Sequence, residues 1–172
     1  YEFNDDFAVR GAVSNGFRAP SLQQSGYTAF TTNLGSDGTL TQSFTANTGT
    51  AFPSALGVDS LELETSTNYS AGFVYDVTSE LSLTVDFYRV EIKDRITLGS
   101  LLSAEDVAFS DEAVAALQAT GAVQANYFSN SVDSTTQGVD IIASYRTDVE
   151  GGNFGVTFAG NLNDTKIDNV NA

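Results

Sequence analysis

The chain has 172 residues, a formal net charge of −15, and no cysteine, histidine, methionine or tryptophan. Its excess of acidic side chains would repel a phosphate backbone, which excludes nucleic acid as a natural partner. Without cysteine and histidine there is no disulfide framework, thiolate nucleophile, Cys/His zinc site or Ser-His-Asp triad. The length suits one domain or a piece of one.

The beginning of the chain does not have the pattern of a targeting segment. Tyr1–Asp6 lacks the basic region and the apolar region of a signal peptide, so we expect a mature or internal stretch of a protein. The longest uninterrupted apolar run, Ala113–Leu117, has five residues, whereas a membrane-spanning helix needs roughly 20. Any location in a membrane would therefore depend on β-strands.

Alternation of apolar and polar residues with a period of two is the dominant pattern. It predicts five long strands, around Phe7–Phe17, Thr65–Val77, Leu81–Ile96, Gly138–Arg146 and Phe154–Leu162. Each predicted strand has one mostly apolar face and one face of small or polar residues. In the third strand the phase of the alternation changes near Tyr88, which indicates either a β-bulge or emergence of the strand from apolar surroundings.

The connections between these strands alternate between short polar turns and long loops. The first long loop, from about Ala19 to Ser60, is rich in Thr, Ser, Asn and Gly and is predicted to be irregular. The second contains the only predicted helix, Asp111–Thr120, with Ser110 as N-cap and Gly121 as C-cap. Short turns on one side and long loops on the other are typical of outer-membrane barrels.

Two architectures agree with this pattern. One is a transmembrane β-barrel whose apolar faces contact lipid; the other is a secreted, acidic β-sandwich, a binding or adhesion module whose apolar faces pack together. In the barrel, aromatic girdles at the membrane interfaces would be formed by Phe17, Tyr69, Tyr75, Tyr88 and Tyr145. Five strands cannot close a transmembrane barrel, which needs about eight or more, so the barrel hypothesis requires the chain to be a section of a larger one.

Four sequence blocks resemble the barrel domain of TonB-dependent receptors, the active transporters of the bacterial outer membrane. Gly16-Phe17-Arg18-Ala19-Pro20-Ser21-Leu22 is similar to a signature of this family. Leu61–Gly72 is similar to its Leu-Lys-Pro-Glu-x-Ser-x-Asn-Tyr-x-x-Gly strand entry, with Glu62 and Leu63 in place of the usual Lys and Pro. A third block of the family's barrel domain is similar to Leu83–Ile96. A fourth block is similar to Tyr127–Asp133 followed by Thr136–Asp140.

The resemblance implies an all-β fold, an antiparallel meander of about five long strands with one short loop helix. It would be a section of the C-terminal part of a 22-stranded transmembrane β-barrel, the strand number of outer-membrane transporters with a plugged lumen. Residues 1–172 would be a partial barrel domain that includes neither the plug nor the TonB box. The expected partners are outer-membrane lipid, the plug and remaining barrel strands, TonB through the plug, and a small-molecule ligand.

The function implied by the resemblance is TonB-energised uptake of a scarce nutrient, such as a siderophore, a vitamin or a carbohydrate, in the bacterial outer membrane. We expect no enzymatic activity, no catalytic residue, no cofactor and no metal site. Carboxylate pairs such as Glu62 and Glu64 have no recognisable spacing of a glycosidase or calcium site. A solvated acidic face is the simpler explanation for them.

Arg18 and Glu64 are predicted to form an ion pair at the base of the first long loop. Both lie on the polar side of neighbouring antiparallel strands, close to the long-loop end, and Pro20 ends the first strand where its missing N–H does no harm. The alternative is two solvated charges, which contribute only about 0 to 1 kcal/mol. A guanidinium far from the carboxylate would contradict the ion pair.

Aromatic residues of the first long loop are candidates for ligand binding. The predicted set consists of Tyr27, Phe30, Asn33, Phe44 and Phe52, whose mixture of rings and amides suits sugars or siderophores at a receptor mouth. The alternative is that these rings pack the loop against itself. Unchanged uptake of every tested ligand after alanine replacement of these aromatics would contradict the binding hypothesis.

Overall fold

A computed structural model describes residues 1–34, 38–58, 60–105 and 109–170 of the chain. In that part of the chain the elements are β1 Glu2–Asn4, β2 Phe7–Arg18, α1 Leu22–Gly26, β3 Ala29–Leu34, β4 Leu40–Ala46, α2 Ala51–Ala55, β5 Glu64–Asp76, β6 Leu81–Leu98, β7 Leu102–Ser103, α3 Asp111–Ala119, β8 Gln124–Val149 and β9 Gly152–Val170. None of the helices in these described ranges is long and apolar enough to cross a membrane.

The chain divides into two compact units. We call the first the strand unit; it comprises Tyr1–Gly16, Thr65–Lys93 and Asp133–Asp168. The second, the loop unit, comprises Phe17–Glu64, Asp94–Val132 and the residues from Asn169 onward. Each unit has its own arrangement of strands.

In the sheet of the strand unit, the strands lie side by side in the order in which they occur in the chain: β1, β2, β5, β6, β8 and β9. β5 and β6 are antiparallel, and their register runs without a break from Thr65 opposite Lys93 to Asp76 opposite Ser82. Five of the strands are long, with 12, 13, 18, 26 and 19 residues. The predicted fold class, an all-β meander of about five long strands, is confirmed.

The two faces of the strand unit differ in composition, as the alternation predicts. The polar face is identified by side-chain contacts between strands: Arg10 with Asp86, and Asn68 with Ser14. On the opposite, apolar face, the ring centroid of Phe7 lies 6.0 Å from that of Phe73 and 6.1 Å from that of Tyr75. Many side chains of the apolar face are exposed, among them Val13, Phe87, Phe154, Phe158 and Leu162.

Of the two explanations for the phase change near Tyr88, a β-bulge against β5 is wrong, because the β5–β6 ladder is continuous through this residue. The phase change instead reflects a change in chemistry along the apolar face. Leu83, Val85 and Phe87 are followed on that face by Arg89, Glu91 and Lys93, and Arg89 Nε donates to Glu91 Oε1 at 2.8 Å. Tyr88 lies on the polar face beside Gly138 and cannot belong to an aromatic girdle on the apolar face.

The loop unit contains a small sheet in which β4 pairs with β3 and, in parallel, with the start of β8, while β7 pairs with β8 from the other side. One row of side chains across it is Phe30, Phe44, Ala125 and Leu102. The next row is Thr31, Ser43, Gln124 and Ser103. Successive residues of a strand point to opposite faces, so this sheet has one apolar and one uncharged polar face.

The core of the loop unit is formed by six buried residues of the small sheet, the helices and the segment between α3 and β8: Phe44, Ala46, Phe52, Leu117, Ala122 and Ala125. The ring of Phe52 packs edge-on against Phe109 and Tyr127, with centroids 5.8 Å and 6.1 Å apart. The first long loop is therefore not irregular, since it contributes α1, β3, β4 and α2. The prediction of a single helix is also wrong, because α1 and α2 precede α3.

The predicted helix in the second long loop is present as α3. Its N-cap is Ser110, whose hydroxyl accepts the N–H of Ala113 at 3.2 Å, and Asp111 and Glu112 lie in the first turn. Such acidic residues interact favourably with the positive end of the helix dipole. The C-cap is Thr120 and not the predicted Gly121. Gly121 follows it with φ +78°, a left-handed conformation that glycine adopts without the steric cost of a Cβ.

Candidate functional site

Arg18 and Glu64, both residues of the loop unit, lie together at the end of β2 and the start of β5. Arg18 Nε donates to Glu64 Oε2 at 2.7 Å, and Arg18 Nη2 donates to Glu64 Oε1, which makes the pair bidentate. The side chain of Glu64 is 11% exposed and that of Arg18 is 53% exposed. The carboxylate is thus largely withdrawn from water while the guanidinium stays hydrated.

Glu64 also binds the backbone of β6. Its Oε1 accepts the N–H of Ile96 at 2.7 Å. The hydrogen bonds from Arg18 are the main reason that the pKa of Glu64 is lowered; desolvation opposes this shift, and the Ile96 N–H and the charges of Arg18 and Arg95 add to it. Glu64 is therefore ionised, and from the start of β5 it bonds to residues near the ends of β2 and β6.

Asn130 of β8 bonds to backbone groups that are close in the sequence to Glu64 and to Ile96. We call Arg18, Glu64, Ile96 and Asn130 the junction. Its side chain accepts the N–H of Glu62 at 2.8 Å and donates to the carbonyls of Glu62 at 3.1 Å and Asp94 at 2.7 Å. Asp94 has φ +56°, a left-handed conformation that is uncommon for residues other than glycine. The amide of Asn130 thus satisfies backbone groups next to a point where the backbone of β6 departs from regular strand geometry.

The five loop residues predicted for ligand binding do not form one site. Phe44 is 4% exposed and Phe52 is 1% exposed, so both belong to the core of the loop unit. Phe30 stacks on Phe44 with a centroid distance of 4.7 Å but remains 52% exposed, and Tyr27 is 44% exposed. Asn33 is exposed on the opposite face of the β3–β4 hairpin from Phe30, because their positions differ by an odd number.

The long loops contain acidic side chains but no basic ones. No lysine or arginine occurs between Arg18 and Arg89 or between Arg95 and Arg146. The sequence around Tyr27, Phe30 and Asn33, from Leu22 to Leu34, consists of residues with hydroxyl, amide or apolar groups. No group of three or more acidic side chains in the described ranges is arranged to hold a metal ion.

A second set of contacts, on the polar face of the strand unit, has no counterpart in the sequence-based predictions. Asp86 of β6 accepts a hydrogen bond from Arg10 Nε at 2.7 Å and a second from Arg10 Nη2. Two residues further on, the Tyr88 hydroxyl accepts from Asn161 Nδ2 at 3.2 Å, and Asn161 also donates to Asp140 Oδ1 at 2.6 Å. The signal for these contacts is that Gly72 lies opposite Asp86 and that Gly138 lies beside Tyr88. This signal can be recognised only when the strand register is known.

Comparison with solved structures shows which fold the chain has. It superposes on the siderophore receptor PirA from Pseudomonas aeruginosa with a TM-score of 0.58 and 16% identity, over 98% of this chain and 27% of that one. For the RagAB peptide importer in its closed-closed state the TM-score is 0.55 and the identity 17%, over 98% and 16%. For PirA from Acinetobacter baumannii the values are 0.51 and 18%, over 91% and 21%. The chain thus spans about a quarter or less of the length of these proteins.

Sequence comparison identifies the family. No curated protein matches the chain. The family model described as TonB dependent receptor-like, beta-barrel, matches residues 1–171. The four sequence blocks, the meander of long strands and this match agree. The chain belongs to the TonB-dependent receptors, a family of outer-membrane receptors and transporters, and represents part of their β-barrel domain.

Proposed function

We propose that the chain is a wall section of an outer-membrane transporter that takes up a scarce nutrient with energy supplied by TonB. In this proposal the apolar face of the strand unit contacts lipid, the polar face lines the lumen that holds the plug, and the loop unit helps to capture the ligand. TonB acts through the plug, outside these residues. The observation that carries the proposal is the exposed apolar face within a TonB-dependent receptor fold.

The extent of the apolar face supports the contact with lipid. Phe158 is 64% exposed and Leu162 is 70% exposed, although exposed apolar patches of this kind are unusual on soluble monomers. Further along the same face, the apolar residues give way to polar ones on four of the five long strands: Thr67, Arg89, Gln137 and Asp164. An apolar band with a polar margin is the pattern of a membrane-spanning barrel wall.

The alternative of a secreted β-sandwich requires that the apolar face pack against a second sheet. In such a sandwich Val13, Phe87 and Phe158 would be buried, whereas they are 70%, 54% and 64% exposed. Family membership and the exposure of these side chains both favour the membrane-embedded wall.

Cysteine labelling of the full-length protein in outer-membrane vesicles tests this assignment. Cysteines replacing Phe73 and Val85 report on the apolar face, and a cysteine replacing Thr84, the neighbour of Val85, is the matched control on the polar face. We expect a lipid-phase reagent to label positions 73 and 85 and to leave position 84 unmodified. Equal labelling at all three positions, or labelling by aqueous reagents alone, would contradict the proposal.

For ligand capture we propose the exposed aromatic surface at Tyr27 and Phe30. Phe44 supports Phe30 from beneath, so the ring of Phe30 is held in place before any ligand arrives. Pre-organised aromatic rings surrounded by uncharged polar groups favour uncharged portions of a ligand, such as a sugar ring or an aromatic moiety. The lack of nearby cationic side chains weakens the case for recognition of an anionic group by this surface.

Binding of a panel of siderophores, vitamins and oligosaccharides to the purified full-length receptor tests this second part. We expect Tyr27→Ala and Phe30→Ala each to weaken binding of one ligand class by about tenfold, the effect of about 1.4 kcal/mol. Leu101→Ala, at another exposed apolar residue of the loop unit, is the control. Unchanged binding of every ligand in both aromatic variants would contradict a role of this surface in ligand capture. Uptake of the ligand by cells that lack TonB would contradict transport energised by TonB.

A further inference from the structure

Asp86 and Tyr88 of β6 extend in opposite directions across the polar face of the strand unit. Residues two apart on a strand share a face, so the two side chains start side by side. Asp86 extends over β5 and reaches Arg10 on β2. Tyr88 extends over β8 and reaches Asn161 on β9. Each side chain therefore crosses one neighbouring strand and bonds to the strand beyond it.

Both crossings occur at a glycine. Gly72 is paired directly with Asp86, and a Cβ at Gly72 would overlap Asp86 Oδ1 and lie 2.8 Å from its Cγ. A Cβ at Gly138 would lie 2.6 Å from the Tyr88 hydroxyl oxygen and 2.7 Å from its Cζ. Carbon atoms do not approach this closely without displacement. The two side chains thus occupy the space left by the missing Cβ atoms.

These glycines supply information about strand register that the alternation pattern does not contain. A slip of one residue would turn every apolar side chain to the polar face and is strongly disfavoured. A slip of two residues keeps each side chain on its own face, so alternation does not oppose it. Such a slip on β5 would place Asp86 opposite Ser70 or Val74, each of which has a Cβ, and would separate Asp86 from Gly72.

The same argument applies to the other side of β6. A slip of two residues on β8 would replace Gly138 with Thr136 or Asp140 beneath the Tyr88 ring. Either residue would displace the ring and move its hydroxyl away from Asn161. Glycine inside a strand is otherwise unfavourable because it adds backbone entropy and no packing surface. At each crossing, the space of the missing Cβ is taken by the crossing side chain together with a backbone carbonyl, that of Val85 at Gly72 and that of Leu162 at Gly138.

We propose that Asp86 and Tyr88, seated over Gly72 and Gly138, select the native register of five consecutive strands, β2, β5, β6, β8 and β9, against slips of two residues. Because both residues lie on β6, the central strand of the five, this one strand can align β5 and β2 on one side and β8 and β9 on the other. These are positioning residues, whose effect on the barrel wall does not depend on which ligand the protein takes up.

Disulfide trapping in the full-length protein tests the proposal, and the chain itself has no cysteine that would interfere. A cysteine pair at Ala71 and Phe87, directly opposed in the ladder, reports the native register of β5 and β6. A pair at Ala71 and Arg89 reports a slip of two residues. For β6 and β8, the corresponding pairs join Phe87 to Val139, next to Gly138, and Phe87 to Ile141.

Asp86→Ala and Tyr88→Ala remove the crossing side chains without creating a clash. In the membrane-inserted fraction, we expect Asp86→Ala to raise the ratio of slipped to native disulfide between β5 and β6 by at least fivefold, and Tyr88→Ala to do so between β6 and β8. Thr84→Ala, on the same face of the same strand, is the control and should leave both ratios unchanged. Ratios in Asp86→Ala and Tyr88→Ala equal to that of Thr84→Ala would overturn the proposal.

Two further variants separate the fit over glycine from the hydrogen bonds. Tyr88→Phe keeps the ring over Gly138 but loses the bond to Asn161, and Asp86→Asn keeps the shape of the side chain but removes its charge. We expect both to keep disulfide ratios within twofold of the wild-type values. Shifts as large as those of the alanine variants would show that the hydrogen bonds, and not the glycine sites, set the register, which would overturn the proposal.

Discussion

The carboxylate of Glu64 accepts the backbone N–H of Ile96 at 2.7 Å while it binds the guanidinium of Arg18. β5 and β6 pair regularly as far as Thr65 and Lys93. Beyond that point a side chain of β5 bonds the N–H of Ile96, and Asn130 of β8 bonds the carbonyl of Asp94. Buried polar groups at the end of a ladder must find such partners, so the junction connects β-strand and loop through side chains.

Glu64→Gln is expected to destabilise this junction. The amide cannot accept both guanidinium hydrogen bonds and the Ile96 N–H as an ionised carboxylate does, and hydrogen bonds to charged groups contribute about 1.5–3 kcal/mol. We expect faster amide hydrogen exchange at Ile96 and a lower urea midpoint for the full-length protein in detergent. Glu62→Gln, at an exposed neighbouring carboxylate, should change neither quantity.

The contribution of Glu64 should also depend on pH. Its pKa is lowered in the folded protein, chiefly by the hydrogen bonds from Arg18. Its stabilising effect is therefore complete above the unfolded pKa of about 4.3 and is lost as the pH falls through the lower folded value. The difference in unfolding free energy between wild type and Glu64→Gln should be constant from pH 6 to pH 8 and should shrink below about pH 4.3. A difference that grows on acidification would contradict this assignment.

Removal of the Asn130 side chain should loosen the same junction from the side of β8. Asn130→Ala leaves the N–H and carbonyl of Glu62 and the carbonyl of Asp94 without this partner, at a cost of about 1–3 kcal/mol. Hydrogen exchange at Glu62 should accelerate more than tenfold. Asn163→Ala, which removes one exposed side-chain hydrogen bond to Asn161, is the control and should leave the exchange at Glu62 unchanged.

The strand unit was largely predictable from sequence because its signal is local. Alternation located the five long strands, and Ser110, Asp111 and Gly121 marked both ends of α3. A signal for one of the missed elements was also present. Ser21 and Gln24 form a capping box at the start of α1.

The candidate site was less predictable because it depends on which aromatic rings are buried. Phe30 and Phe52 belong to the same loop, yet they differ in exposure from 52% to 1%. That difference arises from packing of Phe52 against Phe109 and Tyr127, residues far away in the sequence. In contrast, Arg18 and Glu64 were predictable, since two oppositely charged residues at corresponding ends of adjacent strands are brought together by the sheet alone.

Phe52→Ala is expected to destabilise the loop unit far more than Phe30→Ala does. Phe52 is almost fully buried, and truncation of a buried phenylalanine typically costs about 3–5 kcal/mol through lost contacts and a cavity. Half-exposed Phe30 should cost about 1 kcal/mol. Hydrogen exchange of α3 reports the difference, and exchange in the strand unit at Val85 should stay unchanged in both variants. Equal effects of the two truncations on α3 would place Phe52 outside the core.

Gly121 and Gly26 provide a matched pair for the last prediction. Both follow or end short helices of the loop unit, and a Cβ at Gly26 would have no neighbour within 4 Å, while one at Gly121 would touch only Gln42 Oε1 at 4.0 Å. Only Gly121 has a left-handed φ, +78°. Gly121→Ala should therefore cost about 1 kcal/mol through the backbone alone, whereas Gly26→Ala should be neutral or stabilising, since alanine restricts the unfolded chain. Asn tolerates the left-handed region better than Ala, so Gly121→Asn should recover part of the loss. Equal costs for the two alanine variants would show that the left-handed φ does not limit substitution at Gly121.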